Sequence, residues 1–212
     1  MREHQEKVPF DYIVDKFSKM DPNVIATTLG IPYNETNKSF VLEMMKETYK
    51  VFYPSGKVYT ASGEEITSYV LKTIIVRYLV NGKGTSLTGK YITYKEIKDG
   101  QIYYPNFYKR TILRLSQLYS ENKEVFRKNA ELVKAKFLEQ GDLSFSFDFM
   151  KNVNFLFVFY DEDEEFDASA NILMDQNIED YYNAEDLAVV VDVAIEYFLY
   201  GYIPRELGMY SF

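Results

Sequence analysis

The chain has 212 residues, 47 % of them apolar and 17 % aromatic, which suits one domain with ample material for a core. Cysteine is absent and His4 is the only histidine, so disulfides, thiolate metal sites, cysteine nucleophiles, Ser–His–Asp triads and multi-histidine metal centres are excluded. A net charge of −8 argues against general nucleic-acid binding.

The first residues are polar. Met1–Lys7 is charged and lacks an apolar h-region, so a flexible tail over 1–8, carrying His4, is expected rather than a signal peptide. Phe10, Ile13, Val14, Phe17 and Met20 fall at helical spacing and predict an amphipathic helix over 9–20. Asp21-Pro22 then caps a short helix that runs to Leu29 and stops at Gly30. The period changes after that. Segments 39–45 and 48–53 read as strands joined at Lys46-Glu47, and 57–60 reads as a third strand after the turn Pro54-Ser55-Gly56. Residues 66–80 return to helical spacing, with only Lys72, Thr73 and Arg77 on a narrow polar stripe.

A glycine-rich loop follows over 81–89, then a short strand over 90–97. Tyr104-Pro105 marks a helix start, with Tyr108, Ile112, Leu115 and Tyr119 on one face. Ser120 is placed to cap a second helix that carries Phe126, Ala130, Val133 and Phe137 and ends at Gly141. Strands are expected over 143–149, 153–160 and 170–174, the middle one apolar on both faces. Residues 185–200 form a nearly all-apolar helix with Asp192 and Glu196 on one stripe. These two charges make the apolar run Leu187–Ile203 a buried helix rather than a membrane span.

Strands in groups and helices in groups indicate an α+β fold. The expectation is one domain over 1–212, with an antiparallel sheet of about five to six strands, helices packed on it, and a helical hairpin inserted over 104–138. A cytoplasmic protein is expected, with no membrane and no nucleic-acid partner. The charge is uneven: 90–136 holds 11 basic and 5 acidic residues, and 139–196 holds 1 basic and 16 acidic. The two segments are expected to face each other or to form solvated surfaces.

Three patterns bear on chemistry. Gly84-Thr-Ser-Leu-Thr-Gly89-Lys90 matches G-x-x-x-x-G-K, but Tyr91 stands where a magnesium-binding Ser or Thr belongs, and the loop follows a helix instead of opening one. It reads as an ordinary connection. The run Asp161–Glu165 lacks the glycine an EF-hand needs, since Phe166 stands there. Its plain reading is a solvated strand end. More oxygen ligands follow at Asp167, Ser169, Asn171 and Asp175, so Asp161 and Asp163 are candidate metal ligands. Tyr103–Tyr108, beside Lys109 and Arg110, is either core packing at a helix start or a stacking surface for a planar or anionic ligand. Glu185-Asp186 complements a helix dipole.

Taken in order, Tyr53-Pro54-Ser55-Gly56, Leu87-Thr88-Gly89-Lys90, Tyr103-Tyr104-Pro105-Asn106-Phe107, Asp163-Glu164-Glu165-Phe166, Ser169–Asp175 and Glu185-Asp186-Leu187-Ala188 resemble DUF3786, a bacterial and archaeal family of unknown function common in anaerobes. The likeness runs from about Phe40 to Val193 and is most specific around Phe166–Asp175. It departs from the family at Asp167-Ala168, where prolines are expected. The resemblance implies no activity and no catalytic residues. Some relatives are joined to cysteine-rich iron–sulfur segments, which implies redox or corrinoid surroundings, and a cysteine-free chain would be the partner module there.

Two functions are open on these grounds. One is a non-enzymatic binding or accessory module for an unknown small molecule, cofactor or protein partner, with a site at Tyr103, Tyr104, Asn106, Arg110, Asp167, Ser169, Asn171 and Asp175. The other is a carboxylate-based, metal-assisted hydrolase that needs Asp161, Asp163, Asp167 or Asp175 to converge in a cleft.

Overall fold

A computed structural model describes the backbone of residues 2–207 and the side chains of 6–207, so the His4 side chain lies outside it. The described residues gather into two compact units. The chain leaves the first unit after Ser86 and returns to it at Asp180–Tyr182 and from Arg205. The sequence offers no single linker because the division is crossed several times.

The first unit begins with helix α1 (Arg2–Ser18), which already covers the segment that composition reads as a tail. Helix α2 (Pro22–Leu29) is closed by local chemistry. The Asp21 side chain accepts from the amide of Asn23, Pro22 needs no donor partner at the first turn, and Gly30 ends the helix in the left-handed conformation. Strands β1 (Tyr33–Asn34), β2 (Ser39–Met44), β3 (Glu47–Phe52) and β4 (Lys57–Thr60) form an antiparallel meander. The β2–β3 turn is Met45-Lys46, one residue earlier than expected. Both residues have positive φ, 49° and 63°, the type I′ geometry that suits strand twist. Neither is glycine or asparagine, and burial of Met45 holds the turn in place.

Helix α3 (Tyr69–Asn81) starts where the Ser68 hydroxyl accepts from the amide of Leu71. It is buried along most of its length and packs on α1. Even Lys72 is nearly buried. Its ammonium lies 4.0 Å from the Tyr69 ring centre and 4.9 Å from that of Phe10, and burial lowers its pKa. With no tryptophan, tyrosines carry much of the bulk and their hydroxyls bond backbone carbonyls: Tyr182 to Ile74, Tyr181 to Thr85, and Tyr53 to Ser18 and Met20.

The second unit opens with β5 (Tyr91–Thr93), cut short by a 3₁₀ turn over Tyr94–Glu96 in which Thr93 and Glu96 cap each other. Helix α4 (Gly100–Phe107) starts earlier than Tyr104 and carries Pro105 inside it. A π-helical turn, Tyr108–Ile112, leads into α5 (Leu113–Leu132). The break expected at Ser120 falls at Asn122 (φ −133°, ψ 31°). The second helical stretch stops at Leu132, so Phe137 sits on strand β6 (Lys136–Phe137) and not on a helix face. Strands β7 (Leu143–Met150), β8 (Val153–Tyr160) and β9 (Ser169–Asp175) follow, then helix α6 (Ala184–Tyr200). All pairings are antiparallel, in the order β6-β7-β8-β9-β5, with β8 central and buried except at Tyr160.

The protein is thus α+β. Nine strands stand among the described residues where five to six were expected, partly because β1 and β6 have two residues each, too short for a period to show. No described helix is long and apolar enough to cross a membrane.

Aromatic rings and buried ions hold α6 in the second unit. Phe198 lies 5.0 Å from Phe145, 4.7 Å from Phe147 and 5.7 Å from Phe157, centre to centre. Arg110 donates to Asp192, which is fully buried, and Arg114 donates to Glu196. With Lys123 2.9 Å from Asp161, these pairs bring part of the basic segment onto the acidic one, while other charges of both segments, such as Lys109 and Glu164, are solvated. Burial pushes the Asp192 carboxyl up to about 7, although two guanidiniums draw it down.

Truncating Phe198 to alanine is expected to cost about 3–5 kcal/mol by denaturant unfolding. Asp192 holds its proton in the folded state at pH values where the unfolded chain has released it. Its contribution is therefore fullest below pH 3.8 and is lost as pH rises to about 7. The Asp192→Asn variant is expected to show a flatter stability profile between these limits, measured by urea unfolding at a series of pH values. A profile parallel to that of the parent would show that Asp192 does not titrate there.

Candidate functional site

The residues singled out by sequence lie in the second unit and are engaged separately. Tyr103 and Asn106 are exposed on α4. A hydrogen bond to Glu185 raises the Tyr103 phenol. Tyr104 carries the Lys95 ammonium 4.0 Å from its ring centre, a cation–π contact made within the chain. Phe107 is buried and stacks on Tyr94 at 3.8 Å. Arg110 turns to Asp192. The aromatic cluster is thus partly core packing, and of its two flanking cations Arg110 is held in an internal ion pair while Lys109 is exposed.

Asp167, Ser169 and Asn171 are exposed before and along β9. Asp161 is exposed too, accepting from the Tyr119 hydroxyl at 3.1 Å and paired with Lys123. Asp163 accepts from the amides of Glu165 and Phe166, closing its own turn. Among the described residues no three His, Asp or Glu side chains gather as metal ligands.

Asp175 has a different fate. It is buried at the end of β9 and accepts from the amide and hydroxyl of Thr88, the amide of Gly89 and the amide of Asn177, at 2.8–3.1 Å. Burial alone would raise its carboxyl, but these hydrogen bonds together hold it below the ordinary value. The end of the glycine-rich loop therefore does cradle an anion, and that anion is a carboxylate of the same chain. A free phosphate would have to displace it.

A cleft of about 430 Å³ lies in the first unit instead, over the β3–β4 hairpin. Tyr49 and Val51 point into the core, so Lys50 and Phe52 face outward. On β4, Val58 and Thr60 are buried, so Lys57 and Tyr59 face outward. The register places Lys50 opposite Tyr59 and Phe52 opposite Lys57, a checkerboard of two cations and two aromatic rings. Phe52 and Tyr59 meet edge to face at 5.4 Å. Tyr53 and Ser55 form one rim; Thr60 and Gly63 also line the cleft. Gly56, with φ 65°, turns the chain beneath, where an added Cβ would meet Val14 at 2.6 Å.

The hydroxyls around the cleft are occupied. Tyr53 donates to two carbonyls, Ser55 donates to Phe52 and accepts from the Lys57 amide, and Thr60 bonds Ser62 and the Glu64 amide. Lys57 lies 3.7 Å from Glu65, both more than 40 % exposed, and Tyr59 donates to Glu65 at 3.0 Å. Lys50 makes no ion pair among the described residues.

None of the cleft residues belongs to the set selected by sequence. The signal was present as alternation, with Lys50 and Phe52 interleaved between Tyr49 and Val51. The turn Tyr53-Pro54-Ser55-Gly56, one of the motifs quoted above, forms its edge.

A family model described as "Domain of unknown function (DUF3786)" matches residues 21–197 of the chain. No curated protein matches, and no solved structure matches.

Asp175→Asn replaces an acceptor-only group by one whose NH₂ opposes donor amides, and is expected to cost about 2–3 kcal/mol. Because the folded-state carboxyl is depressed, its contribution is present above pH 3.8 and lost as pH falls through the lower, folded-state value. Urea unfolding at pH 7 checks the cost. Equal stability of the two proteins would show that the loop does not depend on the carboxylate.

Proposed function

The chain belongs to the DUF3786 family, and for this member we propose a non-enzymatic binding module that takes a small organic molecule into the cleft over β3 and β4. The observation that carries the reading is the cleft itself. Its volume of about 430 Å³ falls in the range of small-molecule sites, and its walls are aromatic with a few convergent polar groups. Its Ser and Thr hydroxyls serve the turns, which favours binding over nucleophilic chemistry at those groups. A cytoplasmic setting is part of the same proposal.

The hydrolase alternative draws on carboxylates that are exposed singly or, at Asp175, already saturated by the chain. No feature of the cleft favours it.

A thermal-shift screen of nucleotides, aromatic carboxylates and divalent metal ions tests the proposal. A cleft ligand at a hundredfold its Kd adds about 2.7 kcal/mol, a rise of roughly 5–10 °C for a chain of this size. The rise is expected to vanish in Phe52→Ala. If only metals, or no compounds, stabilise the chain, the small-molecule reading falls and a protein partner takes its place.

A further inference from the structure

We infer that the cleft selects a planar, negatively charged molecule, an aromatic ring system carrying an anionic group. The inference rests on the binding reading and specifies its ligand class. Three features lead to it. Outward-facing Phe52 and Tyr59 meet edge to face, so a flat ring has an aromatic surface to lie against. The hydroxyl groups of Tyr53, Ser55 and Thr60 are already bonded within the chain, so the cleft offers few neutral hydrogen-bonding groups. What it does offer is two ammonium groups, Lys50 and Lys57, diagonal to each other across the two strands.

A ligand that satisfies this surface brings negative charge and acceptors of its own. Glu65 lies beside the site, and its 3.7 Å contact with Lys57 is a surface pair of little worth that a bound anion can displace. The net charge of −8 disfavours a long polyanion, and about 430 Å³ holds one ring system rather than a strand of nucleic acid.

The test is calorimetric titration of the full chain with four probes: adenosine 5′-monophosphate and 2-naphthoate as planar anions, adenosine as a planar neutral molecule, and inorganic phosphate as a non-planar anion. At least one planar anion is expected to bind about tenfold or more tightly than adenosine and phosphate. Lys50→Ala is expected to weaken it about fivefold, the worth of one exposed charge contact, and to leave adenosine unchanged. Lys50 is exposed, so this variant folds. Adenosine binding as tightly as the monophosphate overturns the charge selection and leaves the binding reading standing. Silence of both planar anions, while another compound stabilises the chain in a Phe52-dependent way, also overturns the inference alone. Silence of every compound overturns both.

Discussion

Burial of Tyr49 and Val51 on one face of β3 is the constraint on which the functional surface depends. A strand has a side-chain period of two, so fixing these residues in the core forces Lys50 and Phe52 to the other face. A slip of one residue would bury a lysine and expose two core side chains. The two-residue turn at Met45-Lys46 pins the register from one end, and the turn at Gly56 pins β4 from the other. The checkerboard of cations and rings is thus a by-product of core packing with a stable geometry.

In the second unit, charged side chains hold structure. Arg110 and Arg114 reach buried acids on α6, and Asp175 fastens Thr88 and Gly89 to the end of β9. Buried ions of this kind contribute little net stability against an apolar replacement, but losing one partner strands the other without water. They explain why residues with catalytic-looking chemistry occur here without forming a cluster. Asp192, Glu196, Asp161 and Asp175 each have a donor within the chain.

What the sequence makes legible is local. Asp21-Pro22 and Gly30 bound α2 because caps act within a turn, and β8 shows itself as an apolar run buried on both faces. The role of Asp175 was not legible in the same way. Its partners on the loop lie 87 and 86 positions earlier, and an acid at a strand end looks the same whether it faces solvent, a metal or a backbone cradle. The break at Asn122 rather than Ser120 shows a similar limit, since a good capping residue can sit inside a helix that tertiary packing sustains. The cleft was hidden for a third reason. Lys50, Phe52, Lys57 and Tyr59 become a surface only once the register of β3 and β4 is known, and periodicity within each strand does not supply it.

The most direct measurement is amide NMR of the isotope-labelled chain titrated with adenosine 5′-monophosphate. If the cleft is the binding surface, the shifts concentrate in the hairpin from Lys50 to Gly63. Shifts concentrated at Tyr103–Tyr108 or Asp167–Asp175, with the hairpin unmoved, would contradict the account and return the site to the second unit.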